Sequence, residues 1–224
     1  MDSPRHSGLV RATHWIHTAS FFALVISGIA ILVAHPRLYW GETGAFGAPS
    51  LIDLPLPFIL GHTGWGRHLH FLAAWVCVLN GMLYVFSGVA TRHFRKDILP
   101  SEGNLAWSNI TRVARNHLRL RRPDEEEFYS YNIFQRLAYL GVVFVLFPLI
   151  VLTGLAMSPA ITSVFPALVT GFGGQQSART IHFFVASALV LFLLVHIAMV
   201  CLAGFTSRMR AMITGYGTAK KESI

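Results

Sequence analysis

The sequence predicts an all-α integral membrane protein, a four-transmembrane-helix bundle with both termini cytoplasmic. Three observations predict it. The 224 residues are 54% hydrophobic and only 12% charged, about half the charge of a soluble domain. Four apolar runs cross the chain, each of about 20 residues or more, enough to span a ~30 Å hydrocarbon core as a helix. The net charge of +8 is spread unevenly over the segments between those runs.

The runs are WIHTASFFALVISGIAILVA (15–34), LHFLAAWVCVLNGMLYVFSGVA (69–90), LAYLGVVFVLFPLIVLTGLAM (137–157) and IHFFVASALVLFLLVHIAMVCLAGF (181–205). In lipid the backbone must satisfy its own hydrogen bonds, which helices do. No period-2 alternation suggests a barrel. The first run is too long for a signal-peptide core, and no small-residue cleavage site follows it, so it is expected to be a retained span. No repeat of 20–50 residues is present, and residues 1–224 read as one membrane domain.

With the N-terminus inside, the cytoplasmic segments hold 15 of the 18 basic residues, from Arg5 and Arg11 through Arg92 and Arg136 to Lys221. The opposite side holds only Arg37, Arg67 and Arg179. This positive-inside asymmetry orients both termini to the cytoplasm. It also accounts for the positive charge without nucleic-acid binding. Cys77 and Cys201 both lie within apolar runs and read as small buried hydrophobes. There is no C-x-x-C-H for covalent haem attachment and no C-x-x-C pair for zinc or a cluster.

The outer loop 35–66 is rich in Gly and Pro and carries Tyr39, Trp40, Phe46, Phe58 and Trp65. Those aromatics suit an interfacial anchor or a docking surface for a partner. The second outer loop, 158–179, is shorter. The cytoplasmic loop 91–133 is the longest; its stretch AWSNITRVARNHLRLRR suits a basic helix on lipid headgroups, and DEEE (124–127) follows.

Among the eleven histidines, six lie in or at the ends of the predicted spans: His14, His17, His68, His70, His182 and His196. An ionisable residue inside a membrane helix points to function. His182 and His196 are fourteen residues apart. That spacing rises ~21 Å along a helix and returns to within about 40° of the starting direction. The two imidazoles therefore share a face at two depths, which suits two stacked sites. Helix direction pairs the start of the second span (His68 or His70) with His182. It pairs the start of the first span (His14 or His17) with His196. Two bis-histidine sites at two depths are what two b-type haems need, with neutral imidazole nitrogen as axial ligand. Zinc would need ligands converging on one point. Small residues in phase with the histidines, Gly28, Gly81, Gly88 and Ala186, leave room for a flat macrocycle; ordinary small-residue helix packing is the competing account.

Four motifs carry a family resemblance: RATHW (11–15), GRHLHF (66–71), YNIFQR (131–136) and the His-x13-His of the fourth span. In this order and spacing, over nearly the whole chain, the sequence resembles the bacterial cytochrome b561 group. These are the b-type membrane subunits of Ni–Fe hydrogenase, formate dehydrogenase and thiosulfate reductase, and the resemblance implies a multi-pass protein of the bacterial cell inner membrane. The resemblance implies two haems b, one held by His14 and His196 toward the inside and one by His70 and His182 toward the outside. It implies a quinone site lined by Asn132 and Gln135, near His196; an amide offers a carbonyl or hydroxyl both donor and acceptor. Asn132 is also placed to cap the third helix. Arg11, Arg67, Arg136 and Arg179 sit at helix ends, placed either to pair with haem propionates or to snorkel.

The function this implies is electron transfer between a periplasmic oxidoreductase partner, a molybdenum enzyme or a Ni–Fe hydrogenase, and the quinone pool. The chain has no nucleotide or catalytic-metal motif of its own, so its chemistry is limited to quinone redox. One alternative is a stand-alone cytochrome b561 that oxidises quinol with a diffusible acceptor such as superoxide. Such proteins are typically shorter between the second and third helices, where this chain has 43 residues. The other is a non-redox scaffold or transporter, which would purify colourless.

Overall fold

A computed structural model describes residues 7–44, 48–56, 64–92 and 133–216. Among them, four helices are long and apolar enough to cross a membrane. The first is α1 (Gly8–Ala34) and the second α2 (Gly64–Ala90). The third span comprises α3 (Ile133–Gly141), a π-helical turn (Val142–Leu146) and α4 (Phe147–Ala156). The short helices α5 (Pro159–Thr162) and α6 (Pro166–Gly171) follow. The fourth span is α7 (Gln175–Leu202), and α8 (Phe205–Thr214) completes the described chain. This is a four-span, all-α membrane fold.

Each long helix starts several residues before its apolar run. Hydropathy marks the stretch that faces lipid; the backbone keeps its helical bonds beyond it until a breaker stops them. For α1 the breaker is Pro36, which disfavours helical geometry at His35. For α7 it is Gly204, at φ +97°. His14 and His70 therefore lie more than one turn inside their helices. The break in the third span has a local cause. Pro148 has no N–H for the carbonyl four residues earlier and its ring crowds that carbonyl, so the preceding turn widens.

Burial is inverted relative to a soluble protein. Ser27, Thr153, Ser177 and Thr180 are almost wholly buried, whereas Phe86, Ile29 and Leu191 are exposed on the spanning helices. In lipid this is the expected sense: apolar side chains face hydrocarbon, and small or polar ones face neighbouring helices. Packing divides the chain into two compact units. One comprises Met1–Thr18, Leu79–Gly141 and Phe192–Ile224; the other comprises Ala19–Val78 and Val142–Leu191.

In the second unit, a two-stranded antiparallel pair, β1 (Arg37–Leu38) and β2 (Ile52–Asp53), ties the ends of the first loop. Arg37 and Asp53 make an exposed ion pair of 3.2 Å across it, worth at most about 1 kcal/mol. The same loop straps the start of α7. The Gly41 carbonyl accepts from the Gln176 amide at 3.0 Å, and the Ser177 hydroxyl oxygen accepts from the Gly41 amide at 2.8 Å. Thr180 donates to the Tyr39 carbonyl at 2.6 Å. Gly174, at φ +115°, allows this approach; a Cβ there would run into the Gly41 backbone.

Candidate functional site

The spanning helices bring four of the predicted histidines together as two pairs. In the first unit the rings of His14 (α1) and His196 (α7) lie 6.5 Å apart, centroid to centroid. In the second unit the rings of His70 (α2) and His182 (α7) lie 6.3 Å apart. All four rings are half-buried. A metal bound to two imidazole nitrogens at about 2.0–2.1 Å, with ring centres a little over 1 Å further out, separates the centroids by about 6.4 Å. Both pairs have a separation at which two imidazoles could hold one metal. Among the described residues no group of three or more His, Cys, Asp or Glu is placed to hold a metal.

The His70–His182 pair is held by two hydroxyls. Ser27 Oγ lies 3.0 Å from His70 Nδ1, and Thr153 Oγ1 lies 3.0 Å from His182 Nδ1. Each hydroxyl proton is already engaged. Ser27 donates to the Ala23 carbonyl at 2.7 Å, and Thr153 to the Leu149 carbonyl at 2.7 Å. A backbone carbonyl also accepts from each ring, Leu24 for His70 and Ile150 for His182. With the proton on Nδ1 facing these acceptors, Nε2 keeps its lone pair. That is the tautomer a metal ligand needs.

Glycines stand beside the same rings. A Cβ on Gly28 would sit 3.7 Å from His70 Cε1, and one on Gly154 3.5 Å from His182 Cε1. Each glycine thus lies against the Cε1–Nδ1 edge of its ring, where an added Cβ would make ordinary van der Waals contact. Gly66 brings α2 against α1, where an added Cβ would lie 3.1 Å from the Ala30 methyl. Gly28 was expected from sequence to serve a macrocycle; Gly81 and Gly88, expected beside it, are buried.

The His14–His196 pair is framed by aromatic rings. Trp15 meets His14 edge-on at 5.3 Å, and Phe192 stacks on His196 at 6.1 Å. Tyr139 of α3 packs edge-on against Phe192. His14 Nδ1 is buried with no hydrogen-bond partner among the described residues. The structure also gives the RATHW motif a physical meaning. Arg11 donates to the Ile213 carbonyl at 2.6 Å and Trp15 Nε1 to the Met212 carbonyl at 3.1 Å. The i, i+4 pair on α1 thereby satisfies two carbonyls in the last turn of α8, where a cation also suits the helix dipole.

The other sequence-predicted residues divide as follows. Arg179 donates to the His35 carbonyl, Arg67 is exposed at the start of α2, and Arg136 is half-buried in α3. Asn132 lies outside the described residues, and the side chain of Gln135 does as well. Most of the loop 91–133, with its basic stretch and DEEE, lies outside them too. The sequence reading missed Ser27, Thr153 and Gly154. A signal existed: ISGIA (26–30) and LTGLA (152–156) repeat one pattern, apolar–hydroxyl–Gly–apolar–Ala. It also missed Asn80, buried in α2, whose amide nitrogen lies 2.8 Å from the Thr13 carbonyl and 2.6 Å from His17 Nδ1.

Four spans with paired, half-buried histidines are the arrangement expected of a membrane-embedded cytochrome of the b type. The comparisons agree. The profile of the prokaryotic cytochrome b561 family matches residues 5–215, and the chain belongs to that family. It is thus a multi-pass membrane cytochrome of electron transport, with b-type haem as its cofactor. A putative protein-methionine-sulfoxide reductase subunit of Azospira oryzae is 31% identical over 211 residues, covering 94% of this chain and 96% of that protein. No solved structure matches.

Proposed function

We propose that the protein is the dihaem membrane subunit of a respiratory oxidoreductase, passing electrons between the quinone pool and a partner enzyme on the periplasmic side. One observation carries this reading: the two histidine pairs, at 6.5 and 6.3 Å, each have the spacing of bis-imidazole ligation. His14 and His196 hold one haem b, and His70 and His182 the other. Haem b, when bound, supplies reversible one-electron chemistry. The residues of this chain do the rest. The histidines fix each iron, Ser27 and Thr153 orient two of them, and the exposed apolar helix faces keep the chain in lipid.

Asn132 and Gln135 are the proposed quinone contacts, offering the donors and acceptors that a quinone carbonyl or quinol hydroxyl requires. The periplasmic partner carries the substrate chemistry. The resemblance points to a molybdenum enzyme or a Ni–Fe hydrogenase. The relative's name adds a methionine-sulfoxide reductase, which would draw electrons from quinol. Arg11 and Arg179 each already donate to a backbone carbonyl, so propionate pairing by either would use its remaining N–H groups. The test is direct. The purified protein should show a reduced b-type spectrum with two haems per chain, and His196→Ala should retain one. Two haems in that variant, or a colourless wild-type protein, would remove the basis of the reading.

A further inference from the structure

The two hydroxyl–glycine steps do more than pack helices. We propose that Ser27 and Thr153 are positioning residues that hold the ligand rings and tune the reduction potential of the site between His70 and His182. The inference rests on the bis-histidine reading above. All four residues belong to one compact unit, so the geometry is internal to it.

The argument starts from the hydroxyl proton. Each hydroxyl donates to the carbonyl four residues earlier in its own helix, at 2.7 Å in both cases. Such back-bonding is common for Ser and Thr in helices, and it leaves the oxygen with lone pairs only. The Nδ1 atoms of His70 and His182 are each 3.0 Å from that oxygen. The Leu24 carbonyl accepts from His70 as well, and the Ile150 carbonyl from His182, so each hydroxyl is the side-chain half of a two-acceptor cradle. An Nδ1–H donated to an acceptor makes the imidazole a stronger base at Nε2. A more basic ligand favours the oxidised, more positive iron and lowers the potential. Both ligands of this site carry the device. The other pair does not share it: His14 Nδ1 is buried without a partner among the described residues.

The adjacent glycine completes the arrangement. Gly28 and Gly154 follow the hydroxyl residues directly, and each faces the Cε1 edge of the histidine that its neighbour holds. The same two-residue unit therefore serves α2 from α1 and α7 from α4. One residue faces the ring nitrogen, and the next lies against the ring edge beside it.

The experiment is a redox titration of the purified dihaem protein, followed by optical and electron-paramagnetic-resonance spectra. Ser27→Ala and Thr153→Val are compared with Ser27→Thr and Thr153→Ser. Each hydroxyl-free variant should raise the potential of one haem by up to about tenfold in its redox equilibrium, about 59 mV for one electron. The other haem should be unchanged, and the hydroxyl-keeping variants should restore the wild-type value. Should the hydroxyl-free variants lose that haem outright, its retention in the hydroxyl-keeping variants gives the same support. Unchanged potentials in both hydroxyl-free variants would overturn the inference, as would equal shifts or equal haem loss in all four. Failure of the underlying reading looks different: wild-type protein would then lack a second haem, or His182→Ala would keep both.

Discussion

At the scale of single residues, Asn80 separates two histidines that sequence left close to equivalent. His14 and His17 lie on nearly the same face of α1, and either has the right depth to pair with His196. The Thr13 carbonyl can only accept, so the nitrogen of the Asn80 amide must face it, at 2.8 Å. That same nitrogen lies 2.6 Å from His17 Nδ1. His17 Nδ1 is therefore an acceptor, and its proton sits on Nε2. An imidazole in that tautomer has no Nε2 lone pair to give a metal. We predict that His17→Leu keeps two haems per chain while His14→Ala keeps one, counted by pyridine haemochrome against protein. Two haems in His14→Ala would reassign the ligand. Asn80→Ala should lower stability by about 0.6–1.7 kcal/mol, the range measured for polar contacts between membrane helices; a thermal shift of haem loss reads it.

At the scale of elements, the contact that decides is α1 against α2. Gly66 sits one turn before His70, and an added Cβ would come within 3.1 Å of the Ala30 methyl and 3.6 Å of the Ser27 carbonyl. Neither neighbour is a flexible chain end. A large residue there must push α2 away from α1, and with it His70 away from Ser27. Overpacking of this kind costs about 1–3 kcal/mol. Gly66→Leu should therefore lose the haem of the His70–His182 pair before that of the other pair, seen as stepwise bleaching of the Soret band on heating. Simultaneous loss of both would show that the contact does not act through His70. Elements were legible to different degrees. Long apolar runs announced the four spans, because length and composition alone decide membrane crossing. The π-helical turn was not foreseen, although Pro148 was in plain view, because a proline admits a kink, a bulge or a helix start. The hydroxyl partners were missed because Ser27 and Thr153 read as ordinary small helix-packing residues until His70 and His182 were seen beside them.

At the scale of the whole molecule, membrane fold and family follow from composition and motif order, whereas short elements depend on contacts remote in sequence. β1 and β2 are two residues each, and α8 is tied to α1 by Arg11 and Trp15. No local pattern announces such links. Orientation is a different kind of property, set by the cost of moving charge. Each elementary charge carried across 100 mV is worth about 2.3 kcal/mol. We propose that the segments rich in Arg and Lys stay on the cytoplasmic side, which with four spans both ends would share. In that orientation the loop between α1 and α2 would face the periplasm, where the proposed partner would dock. Leu51, 57% exposed in that loop, and Tyr216, 51% exposed after α8, report the two sides. In a Cys201→Ala background, Leu51→Cys should react with a membrane-impermeant maleimide in intact spheroplasts. Tyr216→Cys should react only after the membrane is opened. The opposite pattern would turn the molecule over, place the α1–α2 loop in the cytoplasm, and require the partner on the side here assigned to quinone.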